Sequence, residues 1–452
     1  MRTRWSMTVL VTLAAACAHQ EGARVNRQEH SGQVEVQPAV EPDVLRAKIA
    51  RYARVRIPYR PGELRPMQRE AVDLLVAASR VIDELFWEQA SEEGPRLRAL
   101  LAEPDGEVER MLAHYLAINY GPYDRLDGME PFIQVPPRPP GATFYPRDMT
   151  KEEFNAWIEE HPEDKQAFQG WFSVIRRDGD RLVAVPYAEV YRGKLERAAA
   201  ALRAAAGKVE NQSLARFLRS RADAFLSNRY RASDKDWMDV QDSALEVTIG
   251  PYEVYEDHLF NYKAAFESFV TLRSAEESRK LERLGSSLDD LESNLPLPDE
   301  HKNFERGGSS PFVVADLIYA AGDTRAGVQT LAFNLPNDEQ VREEKGSKKV
   351  MLKNISHAKF DKILVPIAGR VLAADQLERV TFEAYFNHTL MHEISHGLGP
   401  GRIEKDGEKV AVSLLLKDQY AAIEEAKADV LGVYNTLYLV ERGVLPEGLR
   451  DQ

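Results

Sequence analysis

Apolar residues recur at helical intervals through the first half of the chain. Ala71, Leu74, Leu75, Ala78, Val81, Ile82 and Leu85 fall three or four residues apart, which places them on one side of an α-helix. Val108, Met111, Leu112, Tyr115, Leu116 and Ile118 repeat the pattern, and the alanine-rich run 198–206 predicts a further packing helix. Asp43 is a candidate N-cap for the first helix, opening at Val44. The stretches 120–132 and 136–146 are too rich in glycine and proline to stay helical. From Asp43 to about Ala206 the pattern is mainly helical.

The period changes near Asp242. Val247 and Ile249 read as a strand running into a turn at Gly250-Pro251. The apolar runs 312–319, 328–333 and 350–352 are short and mostly bounded by Gly, Pro, Asn or Asp, as strands are. Between them, 276–291 reads as a charged helix with a solvated face. Helices return from about Asp375. No internal repeat is visible. The predicted class is α+β, mostly α with a smaller β-containing region, in two lobes.

One stretch carries chemistry. His392-Glu393-Ile394-Ser395-His396 is an HExxH pentad. On a helix its histidines stand one turn apart and point the same way, so both imidazoles can share one Zn²⁺. Glu393 is then placed to take a proton from a water held there. The carrying helix is expected to begin at Asp375 as N-cap and to end at Gly397 and Gly399-Pro400-Gly401. His388, one turn earlier, is expected to be structural or supporting rather than a third ligand. A catalytic zinc usually takes three protein ligands. The run 424–429, EEAKAD, offers the third, on a helix that Asp418 can cap. There Glu425 and Asp429 are one turn apart, so one carboxylate can bind metal while a neighbour orients a histidine. Taken alone, EEAKAD also fits an exposed acidic turn pairing with Lys427.

Composition narrows the partners. The 452 residues are 44% hydrophobic and 29% charged, with a net charge of −13, which excludes nucleic-acid binding through a basic surface. The N-terminus has Arg2 and Arg4 ahead of a short apolar run ending in small residues before the sole cysteine, Cys17. Residues 1–17 resemble a bacterial lipoprotein signal with Cys17 as the lipidation site. Residues 18–43 are expected to be a disordered tether, and 44–452 the folded body. The expected location is the bacterial cell envelope, as an outer-membrane lipoprotein facing the periplasm, with membrane contact through the lipid anchor only. With no other cysteine, the mature chain has no internal disulfide.

HEISH followed by EEAKAD resembles the dipeptidyl-peptidase III family of zinc metallopeptidases. The stretch IGPYEVYEDHLFNYKAAFESF resembles that family's Glu-x-Tyr segment, and LAFNLPNDEQVREEKGSKKVMLKN its asparagine-bearing strand. YGPYDRLDGMEPFI is similar to bacterial members. The resemblance covers about residues 240–440. It implies a helical zinc lobe, a smaller β-containing lobe and a cleft between them. It implies one Zn²⁺ held by His392, His396 and Glu425, with Glu393 as general base and Glu424 and Asp429 supporting the ligands. It further implies short peptides as substrates, bound by Glu253, Asn334 and Asn337, with Tyr255 donating to the developing oxyanion. The activity implied is release of dipeptides from peptide N-termini.

Two departures bear on this. Eukaryotic members have HExxGH, six residues where this chain has five; five is regular helical spacing and keeps the ligands on one face. The family also continues beyond this point with further helices and a histidine that helps stabilise the transition state. No counterpart occurs before Gln452, so the expectation is either a truncated chain or a protein lacking part of its zinc lobe. Two other readings stay open: a zinc hydrolase of different specificity, and a catalytically impaired peptide-binding lipoprotein of the same fold. REEKG at 342–346 superficially matches a Nudix pyrophosphohydrolase motif but lacks its upstream glycine and glutamate spacing.

Overall fold

The computed structural model describes residues 36–304, 311–405 and 407–452. Cys17, the export signal and most of the tether lie outside them. The tether's last residues are part of the fold, contrary to expectation. Pro38 bridges Ile133, Ala39 N–H donates to the Phe132 carbonyl at 3.0 Å, and Val36 is buried. The first helix is Pro42–Ala50, with Glu41 rather than Asp43 at the N-cap; Pro42 sits in the first turn, where its missing N–H costs nothing. No helix of the described residues is long and apolar enough to cross a membrane.

The chain divides into two compact units, and strands occur in both, as an α+β class requires. The first comprises Met1–Leu272, Leu317–Thr330 and Asn334–Ser347. Its long helices, Pro66–Ala90, Arg192–Ala206 and Gln212–Ser227, bury the faces that their periodicity marks, among them Ala71, Leu75, Ala78, Ile82 and Leu85. Leu245–Glu253 pairs antiparallel with Ala265–Arg273, in the register Leu245↔Leu272 through Glu253↔Ala265. Nearly every residue of both strands is buried, polar ones included, so the sequence shows no clean alternation there. The expected turn at Gly250-Pro251 is instead a continuation of the strand, with a bulge between Pro251 and Glu253. At Gly250 a Cβ would lie 2.3 Å from Nη1 of the buried Arg221, a position that only glycine fills. The mainly helical reading before Ala206 also misses a hairpin, Ser173–Asp178 with Arg181–Pro186. Its turn has Gly179 at φ 59°, and the Asp178-Gly179 pair between apolar runs is the signal that marks it.

The second unit comprises Arg273–Asp316, Leu331–Phe333 and Lys348–Gln452. Here the first residues of the strand Phe312–Gly322 pair in parallel with Lys348–Leu352, from Phe312↔Lys349 to Ala315↔Leu352. The strand expected from Val328 starts only at Ala332, and Val328 is exposed. The charged stretch 276–291 is two helices, Ala275–Ser286 and Leu288–Ser293. It is more than a solvated face: Leu284 and Leu291 enter a core with Val314, Met351, Phe386, Leu390 and Leu431.

The pentad helix is Phe382–Ser395, shorter than expected. Asp375 lies in a separate 3₁₀ turn, Ala374–Arg379, and the cap is Thr381, whose hydroxyl accepts from Ala384 N–H at 3.2 Å. The EEAKAD helix is Tyr420–Glu441 and begins after a 3₁₀ turn that contains Asp418, so Asp418 does not cap it. These two helices pack on each other at a glycine. A Cβ on Gly432 would meet the His392 nitrogen at 3.1 Å and its Cα at 3.3 Å, both backbone atoms that cannot swing away. Gly432→Val should therefore force the helices apart and cost about 1–3 kcal/mol, the usual penalty for overpacking. Thermal unfolding checks it; an unchanged midpoint would show that the contact tolerates bulk.

Candidate metal centre

His392 occupies the last turn of the pentad helix and His396 caps its end. The chain then turns through Gly397 to Gly399, whose φ is 77°. Gly399 N–H donates to both oxygens of the buried Glu292, at 3.1 and 3.2 Å, so the loop leaving the pentad is pinned. From the facing helix come Glu424, Glu425, Lys427 and Asp429.

These side chains converge. His392 Nδ1 is 2.7 Å from Asp429 Oδ1, and His396 Nδ1 is 2.9 Å from Glu424 Oε1. An ionised carboxylate only accepts, so each Nδ1 carries the ring proton and each Nε2 is left as a lone pair. The two Nε2 atoms face each other at 3.2 Å. Glu425 adds its carboxylate, with Oε2 3.3 Å from His392 Nε2 and Oε1 3.9 Å from His396 Nε2. Three electron-pair donors aimed into one space repel one another unless a cation lies between them. The spacing suits one: tetrahedral bonds of about 2.0–2.1 Å to nitrogen set two ligands about 3.3 Å apart. His392, His396 and Glu425 form the one group among the described residues with metal-ligand geometry. Glu425 is 65% exposed, which leaves the centre open on one side, as catalytic rather than purely structural sites are.

Lys427 is a residue that sequence reasoning assigned only to an acidic surface turn. Its ammonium sits 2.8 Å from Glu424 Oε1 and donates to the carbonyls of Leu398 at 2.9 Å and His396 at 3.4 Å. Burial alone would raise the Glu424 carboxyl, but the hydrogen bonds from Lys427 and His396 outweigh it and hold Glu424 below the usual range. Glu393 pairs with Lys349 of the neighbouring strand, a contact with no signal in the sequence. His388 stands apart from the convergent group and lines a cavity of about 670 Å³ with Tyr385, Val433 and Leu437.

The other predicted residues belong to the first unit. Glu253 ends its strand and is close to Asn337; burial pushes its carboxyl up against the opposing pull of the Asn337 hydrogen bond. Asn337 also donates to the Tyr252 carbonyl at 2.9 Å. Asn334 is exposed on its strand, and Tyr255 is 72% exposed just past Glu253. Glu253 and Asn337 are thus brought together, whereas Tyr255 and Asn334 project to solvent.

Comparison with known proteins bears on this arrangement. The model of peptidase family M49 matches residues 174–434. The structure of DPP III from Caldithrix abyssi superposes with a TM-score of 0.87 at 53% identity, over 90% of this chain and 78% of that one. Dipeptidyl-peptidase III from Corallococcus sp. strain EGB gives 0.77 at 42% identity, over 91% and 77%. Nudix hydrolase 3 of Arabidopsis thaliana is 36% identical over 458 aligned positions, covering 90% of this chain but only 59% of that protein's length.

The geometry predicts a graded metal response. His392→Ala or Glu425→Ala should abolish stoichiometric Zn²⁺ binding. Asp429→Asn and Glu424→Gln should weaken it by about 10–100-fold, because they only orient ligands. Competition titration against a chelating dye measures this, and a wild-type affinity in Asp429→Asn would sink the orienting role.

Proposed function

Because the chain belongs to peptidase family M49, we propose that it is a zinc-dependent exopeptidase that releases dipeptides from the N-termini of short peptides. The observation that carries this is the convergence of His392 Nε2, His396 Nε2 and Glu425, with both Nδ1 atoms locked by carboxylates and Glu393 beside the first histidine. Bound by these three residues, Zn²⁺ supplies Lewis acidity toward a carbonyl and makes a water more acidic. Glu393 takes the proton of the attacking water and returns it to the leaving amine. In the first unit, Asn334 and Asn337 hold the peptide backbone, Glu253 takes its N-terminal end, and the exposed Tyr255 hydroxyl donates to the oxyanion.

The name of the Arabidopsis relative does not redirect this reading. Glu339–Lys345 is a short helix, and its charges are engaged in ion pairs: Arg342 with Glu339 at 3.2 Å, Lys345 with Asp239 at 2.8 Å, and Glu344 with Lys235. No acidic group with metal-ligand geometry occurs there among the described residues.

Assay against a panel of dipeptidyl arylamides, with and without chelator, tests the proposal. Activity should require metal. Glu393→Gln should lose about 10²–10⁴-fold in kcat while retaining Zn²⁺, the usual contribution of a positioned general base. Full activity in that variant would falsify the scheme. Metal-dependent hydrolysis of other bonds, with the arylamides untouched, would point to a different specificity. The envelope location is likewise a proposal and rests on residues 1–17. Cys17→Ser should move the protein from the membrane fraction to the soluble periplasm; continued membrane association would remove the lipid anchor from the picture.

A further inference from the structure

The carboxylate of Glu393 is held from outside its own helix. Lys349 lies on the strand Lys348–Leu352, where its N–H donates to the Pro311 carbonyl at 2.9 Å and its Cα pairs with Phe312. The strand fixes the base of the side chain. Its ammonium then pairs with Glu393 Oε2 and also reaches the Glu393 carbonyl oxygen at 3.3 Å. The lysine side chain is 18% exposed and the glutamate 23%, so the pair is partly withdrawn from water. Among the described residues nothing else bonds this carboxylate, which leaves Oε1 with its lone pairs open.

We propose that Lys349 is the positioning residue for Glu393, tying down one carboxylate oxygen so that the other is presented for proton transfer. A glutamate on a helix has three rotatable side-chain bonds, and a base that wanders spends little time in reach of its proton. Two contacts from one ammonium, to the side chain and to the main chain of the same residue, select one arrangement. A strand inside a packed sheet is a stiffer support than a loop for that purpose. The role is distinct from that of Asp429 and Glu424, which orient the metal ligands rather than the base.

The inference rests on the peptidase reading, and its test separates the two. Lys349→Met keeps the length and apolar stem of the side chain but removes the charge. It should lower kcat by about 10–100-fold, the range seen for supporting partners, with KM, Zn²⁺ content and thermal midpoint unchanged. Lys349→Arg should recover most of the loss. A water-soluble carbodiimide should join Lys349 to Glu393 as an amide in wild-type protein with or without metal, detected by mass spectrometry as a linked peptide pair missing from Lys349→Met and Glu393→Gln. An active enzyme whose Lys349→Met variant turns over at the wild-type rate, or loses metal along with activity, overturns the inference alone. So does a wild type that forms no such link. A wild type that cleaves no dipeptidyl arylamide overturns the peptidase reading and this inference together.

Discussion

The metal centre depends on the contact between two helices at Gly432. The pentad helix presents His392 and His396, but a pair of imidazoles on one helix turn can bind almost anything or nothing. What makes them ligands is the facing helix, which supplies Glu425 for the metal and Asp429 and Glu424 for the two Nδ1 atoms. Those bonds of 2.7–2.9 Å need the two backbones close together. The absence of a side chain at Gly432 permits this, because the next heavy atoms are the main chain of His392 itself. Tautomer, ring orientation and ligand spacing all follow from that approach.

The helix pair is supported in turn by a core that the charge pattern conceals. Leu284 and Leu291 come from helices dominated by Glu, Arg and Lys, yet they pack with Phe386, Leu390 and Met391 on the buried side of the pentad helix. Glu292, next in sequence to Leu291, is fully buried and accepts from Gly399 and from Asn303 N–H at 2.7 Å. One short segment therefore backs the pentad helix and anchors the loop that leaves it.

Much of this was legible in the residues because it is local. Helix faces follow from a period of 3.6, and the HExxH spacing fixes which way two histidines point before any tertiary contact exists. The N-cap at Thr381 was not legible, since several polar residues near the helix start compete for the position and only the turn at Ala374–Arg379 decides between them. Nor was the strand through Gly250-Pro251, where a pair that normally signals a turn is accommodated by a bulge and by Arg221 lying against the glycine. Lys349 and Gly432 carry no sequence signal at all. A lysine on a short strand and a glycine inside a helix acquire meaning only from what stands across from them.

Charge balance links these pieces. Four carboxylates gather around the two histidines: Glu393, Glu424, Glu425 and Asp429. Two ammonium groups answer them, Lys349 at Glu393 and Lys427 at Glu424. The difference is two negative charges, left on Glu425 and Asp429, and the histidines are neutral when each Nδ1 donates. Such an excess in a partly buried pocket is unfavourable unless balanced. A divalent cation on Glu425 and the two Nε2 atoms balances it, with Asp429 compensating through the His392 ring. A monovalent ion would leave one negative charge over, and a trivalent ion would overshoot. The lysines therefore set the charge of the guest as well as holding side chains: each neutralises a carboxylate with another task, so that the remaining anionic charge matches an ion of charge two.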